Sequence, residues 1–136
     1  MDAKNNMSNQ NRNALSSLRM DHIVFNRISF ERTNFSNING EIHFQARRNV
    51  EKLDANKYCV SLNVTAEKEN EYSAEVDISG YCAVSDDISE KDDLINKNAV
   101  AILFPYVRAQ FTLLTSQPEM LPIVLPAMNI NAMFGD

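Results

Sequence analysis

A chain of 136 residues with 44% apolar composition can fill one modest core and is too short for two ordinary domains. Its formal net charge is -5, and apart from Arg47-Arg48 the basic residues are scattered singly, which excludes the basic stripe that direct nucleic-acid binding requires. No apolar run approaches the roughly 20 residues of a spanning helix, and the first residues lack the basic and apolar regions of a signal peptide. A soluble, cytoplasmic protein without membrane insertion is expected.

Residues 1–20 read as a disordered leader, rich in asparagine (Asn5, Asn6, Asn9, Asn11, Asn13) and with little to bury before Ala14, Leu15 and Leu18. A single domain over residues 21–136 follows. From Asp21 the pattern has a period of two, as where one sheet face meets a core and the other meets water. It predicts four strands. The first runs from His22 to Glu31, with Ile28 and Phe30 on one face and a slip of parity near Asn26-Arg27 that predicts a bulge. After an asparagine-rich turn, Asn34 to Gly40, the second covers Glu41 to Asn49, with Ile42, Phe44 and Ala46 on one face. Lys57 to Glu67 points Tyr58, Val60, Leu62, Val64 and Ala66 inward, and Tyr72 to Val84 does the same with Tyr72, Ala74, Val76 and Ile78. The short polar connections Asp54-Ala55-Asn56 and Lys68-Glu69-Asn70 suit an antiparallel meander.

Past Ser85 a charged loop, Asp86 to Asp93, leads into helical spacing at Ala99, Ile102, Leu103, Tyr106, Val107, Phe111 and Leu114, with Asn98 as the N-cap. Pro105 inside this run predicts a kink or a helix start closer to Pro105, and Pro118 stops anything continuing past Gln117. Met120 to Met128 is almost wholly apolar, yet Pro122 and Pro126 restrict it to a sheet edge or an extended loop. Asn129 can cap a short helix, Ile130 to Phe134, that needs docking of Ile130, Met133 and Phe134 to be stable. Apolar segments are usually core, but burying irregular backbone requires a partner for each polar group. The region from Ala99 to Phe134 therefore reads as surface for other polypeptides, with Met120, Met128 and Met133 adding adaptable side chains.

The materials for catalysis are thin. Cys59 and Cys82 read as buried or half-buried free thiols, His22 and His43 are isolated, and no metal set or phosphate-cradling loop is present. Glu75 and Asp77 share a strand face and read as solvated. The acidic run lacks the glycine and the twelfth-position glutamate of a calcium loop. A binding protein with no metal or cofactor, and not an enzyme, is the expectation; a small-ligand pocket ranks last.

Ala101-Ile102-Leu103-Phe104-Pro105-Tyr106-Val107-Arg108, followed by Leu121-Pro122-Ile123-Val124-Leu125-Pro126-Ala127-Met128-Asn129-Ile130-Asn131-Ala132-Met133-Phe134, resembles the signature of the SecB chaperone family. Upstream, Arg27-Ile28-Ser29-Phe30-Glu31 resembles the first family strand and Glu75-Val76 the fourth, so the likeness covers Asp21 to Phe134. The resemblance implies an α+β fold, a four-stranded antiparallel sheet with a long helix and a short C-terminal helix packed on one face, assembled as a dimer of dimers. It implies an ATP-independent holdase that keeps unfolded clients in apolar grooves, with Met120, Leu121, Ile123, Val124, Leu125, Ile130, Met133 and Phe134 as client contacts.

Export members of that family dock the motor SecA on an acidic sheet face. Glu31 and Glu75 match acidic positions there, while Arg27 stands where an aspartate is usual and Ser73 where a leucine is usual. The tail that makes a second motor contact is missing after Asp136. These departures favour the branch that serves toxin–antitoxin–chaperone systems, where the client is an antitoxin. General export through SecA is the first alternative, and an oligomerisation module with no client groove is the second.

Overall fold

The computed structural model describes residues 18–36, 38–86, 91–126 and 134. Four strands, β1 (Leu18–Arg32), β2 (Ile42–Asp54), β3 (Lys57–Lys68) and β4 (Tyr72–Val84), form one antiparallel sheet. Alternation sets its two faces. Tyr58, Val60, Leu62, Val64 and Ala66 of β3 and Tyr72, Ala74, Val76 and Ile78 of β4 are all buried, and the residues between them make the polar face.

The strand order is β1-β4-β3-β2: the meander expected from the two short connections holds for β2 to β4, and β1 lies beyond β4 and not beside β2. In a meander β4, rich in fully buried residues, would be an edge. Between β1 and β3 its backbone groups are paired on both sides. Register shifts fall between Phe25 and Arg27, as the slip of parity predicts, and also between Met20 and His22. β1 begins at Leu18, which is buried opposite Val84, so the strand takes the last residues of the expected leader; residues 1–17 lie outside the described ones. β2 runs on to Asp54, past the expected end at Asn49, because Glu51, Lys52 and Leu53 are exposed at an edge and carry no burial signal.

The helical run also starts earlier than its spacing predicts. A short helix α1 (Lys91–Leu94), a π-helical turn (Ile95–Ala99) and a long helix α2 (Val100–Thr115) follow without interruption. Asn98 therefore lies within the helical run and is not its N-cap, and Asp92 and Asp93 belong to its first turn and not to a loop. Acidic side chains suit that position, next to unpaired amides at the positive end of the helix dipole. Ile95, Ala99, Val100, Leu103, Val107 and Phe111 are fully buried, so the apolar stripe reaches back to Ile95. Pro105 lies inside α2, and the helix neither starts nor stops there. The carbonyl losing its donor is that of Ala101, an exposed residue, so water can replace the missing bond.

α2 lies over β3 and β4. At Gly80 a Cβ would come within 2.6 Å of Met20 Sδ and 3.1 Å of Leu103 Cδ2, so the missing side chain lets β1 and α2 close over the sheet. No helix among the described residues is long and apolar enough to cross a membrane.

Candidate functional site

Beyond Thr115 the chain turns through Pro118 and Glu119, the latter in the left-handed region at φ 60°. The Arg32 guanidinium holds this turn, donating from Nη1 to the Pro118 carbonyl at 2.9 Å and from Nη2 to the Glu119 carbonyl. The segment from Met120 to Pro126 then returns antiparallel to α2 without regular structure. Three helix side chains satisfy its backbone. Arg108 Nε donates to the Leu125 carbonyl at 2.9 Å, Thr112 Oγ1 donates to the Ile123 carbonyl at 2.7 Å, and the Ile123 amide donates to Thr115 Oγ1 at 2.7 Å. The Thr115 hydroxyl in turn donates to the Phe111 carbonyl at 2.7 Å. An irregular apolar segment is thus held against a helix with key polar groups paired.

That clamp divides the expected contact residues. Ile123 is 6% exposed and joins the core, an anchor and not free surface. Met120 and Leu125 are half-buried against the core. Leu121 and Val124 stand out at 64% and 76% exposure. Between the loop and α2 lies a recess of about 500 Å³ lined by Pro105, Ala109, Leu113, Val124 and Leu125, with Leu113 67% exposed. Ile130 and Met133, with most of the expected C-terminal helix, lie outside the described residues. Phe134 is half-buried, with the Arg48 guanidinium 4.7 Å from its ring centre.

Two exposed apolar residues escaped the sequence reading. Phe35 and Ile38, 77% and 81% exposed, sit in the connection between β1 and β2. The amides of Thr33 and Asn34 donate to the Glu71 carbonyl at 2.8 and 3.2 Å, which fixes the start of that connection. A second recess of about 460 Å³ separates Phe35 from Pro118 and Glu119, so the 118–125 segment has a recess at each end. The available signal was two large apolar residues inside a polar turn that has no strand to bury them.

The polar sheet face is closed on itself. Asn63 Nδ2 donates to both Glu75 Oε2 and Asp77 Oδ2 at 2.8 Å, and Arg27 Nε lies 3.4 Å from Glu75 Oε1. Asn26, at the bulge of β1, donates to Asp77 Oδ1 at 2.9 Å and to Ser79 Oγ at 2.6 Å. Glu75 and Asp77 are therefore half-buried network members and not simply solvated. Glu31 is exposed on the same face. Both cysteines are free; burial, then the charge of Cys59, pushes the Cys82 thiol up to about 11, away from nucleophilic use. No cluster of three metal-ligating side chains occurs among the described residues.

A sheet with one helical layer, carrying a helix-pinned apolar loop over open recesses, is a SecB-type fold. The chain belongs to the SecB family: residues 10–136 match the family's sequence model, described as preprotein translocase subunit SecB. The Rv1957 SecB-like chaperone of Mycobacterium tuberculosis, solved in complex with a ChAD peptide from the Rv1956 HigA1 antitoxin, superposes with a TM-score of 0.71 at 13% identity. The match covers 85% of this chain and 93% of that one, and it shows a shared fold. An uncharacterised protein of Methanocaldococcus jannaschii is 28% identical over 106 residues, 74% of this chain. The aligned stretch spans 64% of that relative's length.

Proposed function

We propose that this protein is an ATP-independent holdase that binds unfolded or aggregation-prone segments, with an antitoxin as its dedicated client. The observation that carries the reading is the recess beside the loop, where Leu113 and Val124 expose apolar surface, with Leu121 exposed on the same loop, while the Ile123 amide and carbonyl and the Leu125 carbonyl are already hydrogen-bonded. A client therefore contributes apolar area without competing for the loop's own bonds. At ~25 cal/mol per Å², a few buried side chains give useful affinity without reading a sequence. The antitoxin reading draws on the relative solved with an antitoxin peptide. It draws also on Glu75, whose carboxylate is engaged by Asn63 and Arg27 and is a poor free charge for docking SecA. We place the protein in the cytoplasm, as a dimer of dimers.

The test is suppression of aggregation of an unfolded reporter by Leu121→Asp/Val124→Asp. Both positions are exposed, so stability should stay within about 1 kcal/mol of the parent. Protection should fall at least tenfold. Full protection by this variant would overturn the reading. Gene neighbourhood separates the two kinds of client: a toxin–antitoxin pair beside this gene supports the dedicated role.

A further inference from the structure

Arg32 ends β1, half-buried and in register with Tyr72. Its guanidinium joins two segments far apart in the chain. Nε donates to the Asn34 carbonyl at 3.0 Å, Nη1 to the Pro118 carbonyl at 2.9 Å, and Nη2 to the Glu119 carbonyl. Asn34 belongs to the connection between β1 and β2, while Pro118 and Glu119 form the turn into the apolar loop. A planar fork with separate nitrogens can reach three such acceptors, and the single nitrogen of a lysine cannot.

The turn needs holding. Glu119 has φ 60°, a conformation that is costly for a residue with a Cβ and free for glycine. Leu121 lies between two anchorages, Arg32 on the Glu119 carbonyl and the Thr115 hydroxyl on the Ile123 amide. Val124 lies between Ile123 and Leu125, which α2 holds without Arg32. Phe35 faces the same turn across the recess of about 460 Å³ that Arg32 lines. We propose that Arg32 is a positioning residue for client binding, which locks the 118–119 turn and so presents Leu121, beside Phe35, to the client. The proposal rests on the holdase reading and deepens it by naming a residue that sets affinity through the loop. A loop that adopts the turn only part of the time binds with its affinity reduced by that fraction.

The experiment titrates a labelled, unstructured peptide of leucine, serine and asparagine with the full chain and reads fluorescence anisotropy. Arg32→Lys keeps the charge and loses the fork, so binding should weaken about three- to tenfold as the turn loses its lock. Glu119→Gly removes the cost of the left-handed residue; it should recover most of that loss in the Arg32→Lys chain and help the parent less. Leu121→Ala should weaken the parent more than it weakens Arg32→Lys, whereas Val124→Ala should weaken both equally. Thermal melts separate positioning from a general loss of stability. Unchanged binding in Arg32→Lys overturns the proposal, as does a loss that follows the melting temperature, an Arg32→Lys chain that does not fold, or an equal gain from Glu119→Gly in both chains. If the parent binds neither this peptide nor the unfolded reporter, the holdase reading itself fails. Hydrogen exchange at the Leu121 amide then still decides whether Arg32 locks the turn, since it should be faster in Arg32→Lys.

Discussion

The Thr115 hydroxyl joins helix to loop. It donates back to the Phe111 carbonyl and accepts from the Ile123 amide, so one buried atom ends α2 and begins the ordered part of the apolar segment. Thr115→Val keeps the shape and removes the acceptor, leaving a buried amide unpaired at a cost of about 1–3 kcal/mol. Hydrogen exchange at the Ile123 amide should accelerate in this variant, while amides in the centre of β3 show only the global loss. Buried ionisable groups give a second prediction. Burial, then the charge of Glu71, pushes the Tyr72 hydroxyl from its ordinary value of 10.0 up to about 12, and the Cys82 thiol rises from 9.0 to about 11. Below about pH 8 both are protonated in either state and impose no penalty on the fold. As pH rises past the unfolded values the unfolded chain loses protons first, so stability falls until the folded values are passed. Urea titrations from about pH 8 to pH 11 should show a progressive loss, about 2 kcal/mol from Cys82 and about 1 kcal/mol from Tyr72 by the upper end. Cys82→Ala should flatten its first part.

Among elements, the central strands were legible because Tyr58 to Ala66 and Tyr72 to Ile78 alternate and each inward residue meets the same core. Strand order was not legible. Short connections identify which strands are neighbours through β2, β3 and β4, whereas the 33–41 connection fixes no side of the sheet for β1. The helix start was misplaced because Asp92, Asp93 and Lys97 look like loop residues; tertiary burial of Ile95 and Ala99 outweighs that polarity. Lys68 was equally hidden: it read as part of a polar connection, yet it forms an ion pair with Glu71, 3.1 Å apart at 7% and 0% side-chain exposure. The apolar loop was legible from its prolines. Its division into an anchor, Ile123, and outward residues, Leu121 and Val124, depends on bonds from Thr112 and Thr115 that no periodicity encodes. The close approach of helix and sheet carries its own prediction. Gly80→Val places branched atoms where Met20 and Leu103 already meet, so it should cost about 1–3 kcal/mol by overpacking, read as a lower melting temperature. Gly80→Ala should cost less, since Met20 can swing its thioether away.

Beside Phe35 and Ile38 in the 33–41 connection, two kinds of exposed apolar surface decide how an assembly relates to its client. One kind surrounds the loop, at Leu113, Leu121 and Val124; the other comprises Ile102 and Tyr106 on α2 and Phe25 and Ile28 on the helix-side face of β1. Ile102 and Tyr106 recur at helical spacing like the core residues, but the sheet of the same chain leaves them exposed. In the dimer of dimers proposed above, a second subunit covers this face and the loop surface stays free for the client. An oligomerisation module would instead consume both kinds of surface. Ile102→Glu/Tyr106→Glu tests the division, because two charges on a subunit face must be desolvated or the contact abandoned. Light scattering should show a smaller species for this variant than for the parent, and the parent protein should bind an unfolded reporter through Leu121 and Val124. An unchanged mass would remove this helix face from the subunit contact. A parent assembly that binds no unfolded chain, with Leu121 and Val124 protected from solvent, would instead show that assembly consumes the loop surface.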